Sequence, residues 1–165
     1  MRILKRRKER KTDYTKRIAL LKSNSPRITF RKTNKYIIAQ YIRSDEAKDK
    51  PETGVTSKIL LSYGWPKEFE GSLKSIPASY LTGFALGKKI SGNKIDKPVV
   101  DLGMTKKIHK SRFFAFLKGL KDSGIKIKCD EDFFPQEDKI KGKNLKKDFS
   151  KNFDNIKNKI NDMKK

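Results

Sequence analysis

The sequence predicts an α/β fold: a mixed, mostly antiparallel sheet in the order strand-strand-strand-helix-strand-helix-strand, with the helices packed on it. Three observations carry this. Runs of alternating apolar residues follow one another between residues 27 and 63. Two capped segments of helical apolar spacing come next, at 75–92 and 111–124. A short apolar run follows each of them, and helical crossovers between strands require parallel neighbours, so the sheet is mixed. A basic arm over 1–25 precedes the body (26–129), and an extension over 130–165 ends in an amphipathic helix.

The elements follow in order. Residues 1–11 ("MRILKRRKERK") have no apolar period and are expected to be disordered without a partner. From Thr12 a short helix is predicted, capped by Asp13, with Tyr14, Ile18 and Leu21 at i, i+4, i+7. "SNSP" ends it at Pro26. "RITFRKTNKYIIAQYI" is a hairpin turning near Thr33-Asn34, where Asn tolerates the positive φ of a primed turn. Residues 43–54 read as a polar loop. The third strand is predicted from Val55, Ser57, Ile59, Leu61 and Tyr63.

In the helix "SIPASYLTGFALGKKISG", Ser75 is the cap, Pro77 sits in the first turn and Gly92 is the stop. Gly83 and Gly87 are expected to let it approach the sheet closely. "KPVVDLGMT" is a short buried strand. "SRFFAFLKGLKDSG" is a second helix, with Ser111 as cap and Gly124 as stop, and "IKIKC" is a last strand. Leu145, Phe149, Phe153, Ile156, Ile160 and Met163 form a helical seam that must pack on the body or on a neighbour.

Charge bounds the partners. Forty-two Lys and Arg stand against nineteen Asp and Glu, a net +23. Fifteen of the cations and only two of the acids lie within residues 1–43. Such a balance suits a polyanion. No eighteen-residue apolar run exists, the first residues lack the apolar core of a signal peptide, and Cys129 is the single cysteine. A soluble, intracellular, polyanion-binding protein is the expectation, with no segment that spans a bilayer.

Catalytic readings are weak. "GFALGKK" lacks the spacing and the Ser/Thr of a phosphate-binding loop. His109 is the only histidine and no CxxC is present, so no metal site or hydrolase triad is expected. Asp130, Glu131 and Asp132 read as solvated or lysine-paired. Neither an enzyme nor a cofactor is predicted, and a nuclease is the least favoured reading. The basic arm, by contrast, is mixed with Thr12, Tyr14, Asn34, Tyr36 and Gln40, and this combination of cations, rings and amides favours RNA. A DNA reader would show a helix-turn-helix, zinc-finger or basic-zipper pattern.

Six blocks in register carry a family resemblance. "RRKERKTDY", "PRITFRKTNKYIIAQ", "YGW", "PASYLTGFALG", "VVDLG" with "SRFFAFLKGLKDSG", and "FPQEDKIKGKNL" resemble the 5S-rRNA-binding protein number eighteen of the large ribosomal subunit, in its archaeal and eukaryotic branch. The resemblance implies a cytoplasmic structural constituent that attaches 5S rRNA to the large rRNA in the central protuberance. Large-subunit protein number five is its chief protein neighbour, and self-association is not expected. Residue chemistry and the resemblance together make Arg6, Arg7, Lys8, Arg10, Lys11, Thr12, Tyr14 and Arg17 the candidate RNA contacts in the arm. Arg27, Arg31, Lys32, Thr33, Asn34, Lys35, Tyr36 and Gln40 follow in the hairpin, with Lys107 and His109 beyond it. The alternatives are general RNA binding without 5S specificity and a scaffold that docks partners on the 145–163 seam.

Overall fold

The computed structural model describes residues 4–9, 11–46, 48–91, 98–145 and 148–162. Strands β1 (Arg27–Lys32), β2 (Ile37–Asp45), β3 (Lys48–Thr56) and β4 (Val99–Asp101) form one mixed sheet in the order β3-β2-β1-β4. β2 is antiparallel to both β1 and β3, and β4 is parallel to β1. The predicted fold class is therefore the one observed.

One sheet face makes the core. Ile28 and Phe30 of β1 lie across from Tyr41 and Ala39 of β2, and Val55 of β3 lies beside Ala39; all five are buried. The helices α3 (Ile76–Ile90) and α4 (Arg112–Asp122) cover this face. The Phe30 ring packs on Phe113 and Phe116 of α4, with centroids 5.7 and 5.1 Å apart. At the start of α3 the Ser75 hydroxyl accepts from the Ala78 amide at 3.4 Å, and Pro77 occupies the first turn, where no amide donor is needed. Ser111 stands at the cap position of α4 but its side chain makes no cap bond.

Several expectations are corrected. The third strand lies at Lys48–Thr56, earlier than predicted, and residues 57–61 form a 3-10 turn. β3 is mostly exposed and polar, so no apolar alternation marks it; an edge strand with a solvated face needs only a backbone partner. Its turn is tight: Asp45 pairs with Lys48, and Glu46 takes φ 53°. At the first hairpin Asn34 does not adopt a positive φ. The loop is longer than a primed turn and is held by Thr33. The "IKIKC" run forms no strand; Ile125 is buried and Ile127 half-buried against the helical layer, which satisfies the alternation without a ladder. β4 is a partly exposed edge rather than a buried strand.

The glycine stripe faces a helix, not the sheet. A Cβ on Gly83 would overlap the carbonyl oxygen of Phe116, and one on Gly119 would overlap that of Tyr80. The two backbones touch at reciprocal glycines, so spacing alone revealed a close approach but not its partner. Gly124, at φ +102°, ends α4 as expected. Gly92 and Met163 lie outside the described residues.

The C-terminal extension folds back on the body. Helices α5 (Glu137–Lys141) and α6 (Ser150–Asn161) pack beside α3. Phe149, Phe153, Ile156 and Ile160 are all buried, each contributing about 1.5–3 kcal/mol. The Phe149 ring sits 4.5 Å from Trp65, and Phe153 sits 5.4 Å from Tyr80. The Tyr80 hydroxyl donates to Asp122 at 2.6 Å. Burial, then Asp122, then Glu137 push this phenol above its ordinary range. The seam that could have docked a partner is closed by the chain itself.

Candidate nucleic-acid interface

At the N-terminal end, Lys5–Lys8 form a single helical turn, α1, where the sequence suggested no structure. It buries nothing. Helix α2 (Tyr14–Lys22) is capped as predicted, Asp13 accepting from the amides of Thr15 and Lys16. Arg6 Nε donates to Thr12 Oγ1 at 3.1 Å, Lys11 lies 2.8 Å from Glu9, and Arg7 lies 4.0 Å from Asp13. Arg6, Arg7, Lys8 and Lys11 are exposed and Tyr14 is half-buried. Arg10 lies outside the described residues. Ile18 is 53% exposed, so the apolar stripe of α2 is only partly covered.

The root of this arm is tied to the sheet by one carboxylate. Asp49 of β3 accepts from Arg17 at 3.1 Å, from Arg27 at 2.6 Å and from the Ser44 hydroxyl at 2.9 Å. Arg27 also donates to Ser44 at 2.8 Å, and it is buried. Burial pushes Asp49 upward in pKa, but the Ser44 hydrogen bond and the charges of Arg27 and Arg17 outweigh it and hold the carboxyl below its usual range. Asp49 thus joins α2, β1, β2 and β3, and Arg27 is turned inward toward it.

The hairpin tip lies at the opposite end of β1, roughly 17 Å away at the ordinary rise per strand residue. Thr33 shapes it: its amide and hydroxyl both reach the Tyr36 carbonyl at 2.8 Å, and its Oγ1 accepts from the Tyr36 amide at 2.9 Å. Lys32, Asn34 and Lys35 project into solvent, while Tyr36 packs its half-buried ring against the core. Arg31 donates to the Phe30 and Asp101 carbonyls at 2.9 and 3.0 Å, and its Nη2 lies 2.9 Å from Asp101 Oδ2. It therefore rivets β1 to β4 while remaining half-exposed. Gly103, at φ +59°, lies against this guanidinium; a Cβ there would come within 3.1 Å.

β4 runs parallel to β1, so the chain leaving it arrives at the tip end. There residues 104–111 bring Lys106, Lys107, His109 and Lys110 into exposed positions. The His109 ring lies 4.2 Å from Phe133 and edge-on to Phe114. Lys110 takes φ 55° and its amide donates to the Phe133 carbonyl at 2.9 Å. Gln40 is half-buried on the sheet face turned away from α3 and α4, opposite Thr29.

The predicted residues thus fall into two groups at opposite ends of the sheet. Sequence reasoning passed over Lys106, Arg112 and Lys139, which the fold brings beside Lys32. The signal for the first two was present in "KKIHKSR"; Lys139 joins only through the folded-back extension. Among the described residues no cluster of three or more His, Cys, Asp or Glu could hold a metal ion.

Comparison with known proteins shows the family. A family model described as ribosomal large subunit proteins 60S L5 and 50S L18 matches residues 2–97. A relative named large ribosomal subunit protein uL18 from Korarchaeum cryptofilum is 40% identical, over 86% of this chain and 70% of its own length. The proteins of the same name from Methanoculleus marisnigri and Methanoregula boonei are 37% and 34% identical, again over 86% of this chain, and over 78% and 79% of theirs.

Proposed function

The chain belongs to the family of ribosomal large subunit proteins 60S L5 and 50S L18, and from that premise we propose that it binds 5S rRNA and helps join it to the large rRNA. The family is one of structural ribosome constituents, not of enzymes, and its members work in the cytoplasmic ribosome. The observation that carries the finer reading is the hairpin tip. Thr33 spends its hydroxyl on loop geometry, which presents Lys32, Asn34 and Lys35 outward on a rigid support.

In this reading the hairpin tip meets 5S rRNA phosphates, while the exposed cations of the arm, Arg6, Arg7, Lys8 and Lys11, run toward the large rRNA. Arg10 belongs with them by sequence. Arg17 and Arg27 position the arm through Asp49 rather than touching RNA, and Arg31 both supports the tip and offers its exposed edge. The half-buried Tyr14 and Tyr36 are the stacking residues, Thr12 and Gln40 supply hydrogen bonds, and Lys107 and His109 extend the surface beyond the hairpin. Large-subunit protein number five is the chief protein neighbour. Phosphate contacts give salt-dependent affinity, and the fixed shape of the tip gives register.

The test is competition. Labelled 5S rRNA is bound to the purified chain at near-physiological salt and challenged with tRNA, from an equal mass up to a large excess. Retention of 5S rRNA against a large excess is the expected result. Displacement mole for mole would mean that only the net charge is recognised, which is the general RNA-binding alternative.

A further inference from the structure

Beside the hairpin tip lies an open groove of about 650 Å³, within the range of pockets that hold ligands. Its floor is apolar: Ile76, Pro77 and Leu145, with the buried rings of Phe30 and Phe113 beneath. Ile108 is 61% exposed, an apolar side chain left in water at the groove's edge. Every ionisable group lining the groove is a cation: Lys32, Lys106, Arg112 and Lys139. The first turns of α3 and α4 both form part of its wall, and the positive ends of two helix dipoles add to the same field.

We propose that this groove docks an acidic peptide segment of another protein, anchored by one or two apolar side chains. Its carboxylates pair with the rim while its apolar side chains cover Ile108 and the floor. The surface fits a peptide better than RNA. The rings in the lining offer no open face for base stacking, since Phe30 and Phe113 are 2% and 6% exposed, which leaves only the Arg112 guanidinium for a base. The accessible apolar lining is aliphatic and suits aliphatic or aromatic peptide side chains. A second copy of this chain, carrying +23, is repelled by the same cations. The proposal does not depend on the 5S assignment: Lys32 belongs to both the tip and the groove, but Lys106, Ile108 and Lys139 line the groove and can be altered without touching the tip.

The test pans a phage-displayed library of random dodecapeptides on the full chain at near-physiological salt, with counter-selection on Ile108→Ser. That substitution trims an exposed side chain and leaves the core untouched. The expected survivors combine Asp or Glu with Leu, Ile, Phe or Met. They lose at least tenfold in affinity on Ile108→Ser and again on Lys106→Glu with Lys139→Glu, while 5S rRNA affinity on Ile108→Ser stays within twofold of the parent. Amide shifts on peptide addition should cluster at residues 104–113 and 139–145. Survivors that are merely acidic, or that bind Ile108→Ser equally well, would overturn the proposal. So would an RNA hexamer that displaces the peptides, or an Ile108→Ser protein that loses RNA and peptide alike, since the groove would then belong to RNA.

Discussion

Arg27 and Arg31 stand four residues apart on the same face of β1, yet the two ends of the strand use their cations in opposite ways. At the root of the arm, Arg27 is buried and its charge is consumed by Asp49, which also takes Arg17. At the tip, Arg31 meets Asp101 with 45% of its side chain still exposed, and Lys32 and Lys35 beyond it have no ion pair among the described residues. A large positive charge therefore does not translate uniformly into binding surface. Some of it organises the fold, and what is left over at the tip is available to a polyanion.

The comparison can be broken most strongly at Asp49. Asp49→Ala strands the buried Arg27 guanidinium and should cost about 3 kcal/mol, the low end for losing one member of a buried pair, read by urea denaturation. The same carboxyl sets an acid limit. Its pKa is lowered on folding, so its contribution is fully present above the ordinary aspartate value of about 3.9 and is lost as pH falls through the lower folded value. The acid unfolding of Asp49→Asn should show a smaller loss over that window than the parent.

Arg31→Ala comes next and should blur the two roles. Losing the rivet to Asp101 is expected to cost about 1–2 kcal/mol, together with a loss of 5S rRNA affinity. Thr33→Val should cost about 1 kcal/mol through the two hydroxyl bonds that close the loop, and it should weaken RNA binding by loosening the tip although no charge is removed. The smallest stability effect belongs to Lys32→Ala with Lys35→Ala, within about 0.5 kcal/mol. Here the slope of log affinity against log salt should fall by about two, roughly one for each phosphate that is no longer neutralised. A destabilisation as large as that of Arg31→Ala would show that the tip, like the root, spends its charge on the fold.

Much of this was legible in the chain. The first hairpin and α4 announce themselves by apolar period, and α3 by its Ser75 cap and Pro77, although α3 is buried all round from Pro77 to Gly87 because the sheet, α4 and α6 each cover a side of it. β3 was not legible: its residues are polar on a solvated edge, so only the backbone ladder and the turn at Glu46 define it. "IKIKC" misled for the complementary reason, since its alternation is satisfied by a helical layer. The cations of the site were visible, but their division between Asp49, Asp101 and solvent was not, because that division depends on residues 22 and 70 positions away from the arginines they hold.

By itself the sequence determined the kind of partner, through its net charge and the mixture of cations with rings and amides. It also determined the family, through blocks whose order and spacing are local properties of the chain. Only the tertiary structure decided which cations face outward, that Phe149 and Phe153 of the C-terminal seam close on Trp65 and Tyr80, and that Lys32, Lys106, Arg112 and Lys139 line one groove. Those outcomes depend on contacts between distant segments, and sequence periodicity reports which side of an element is buried, not what buries it.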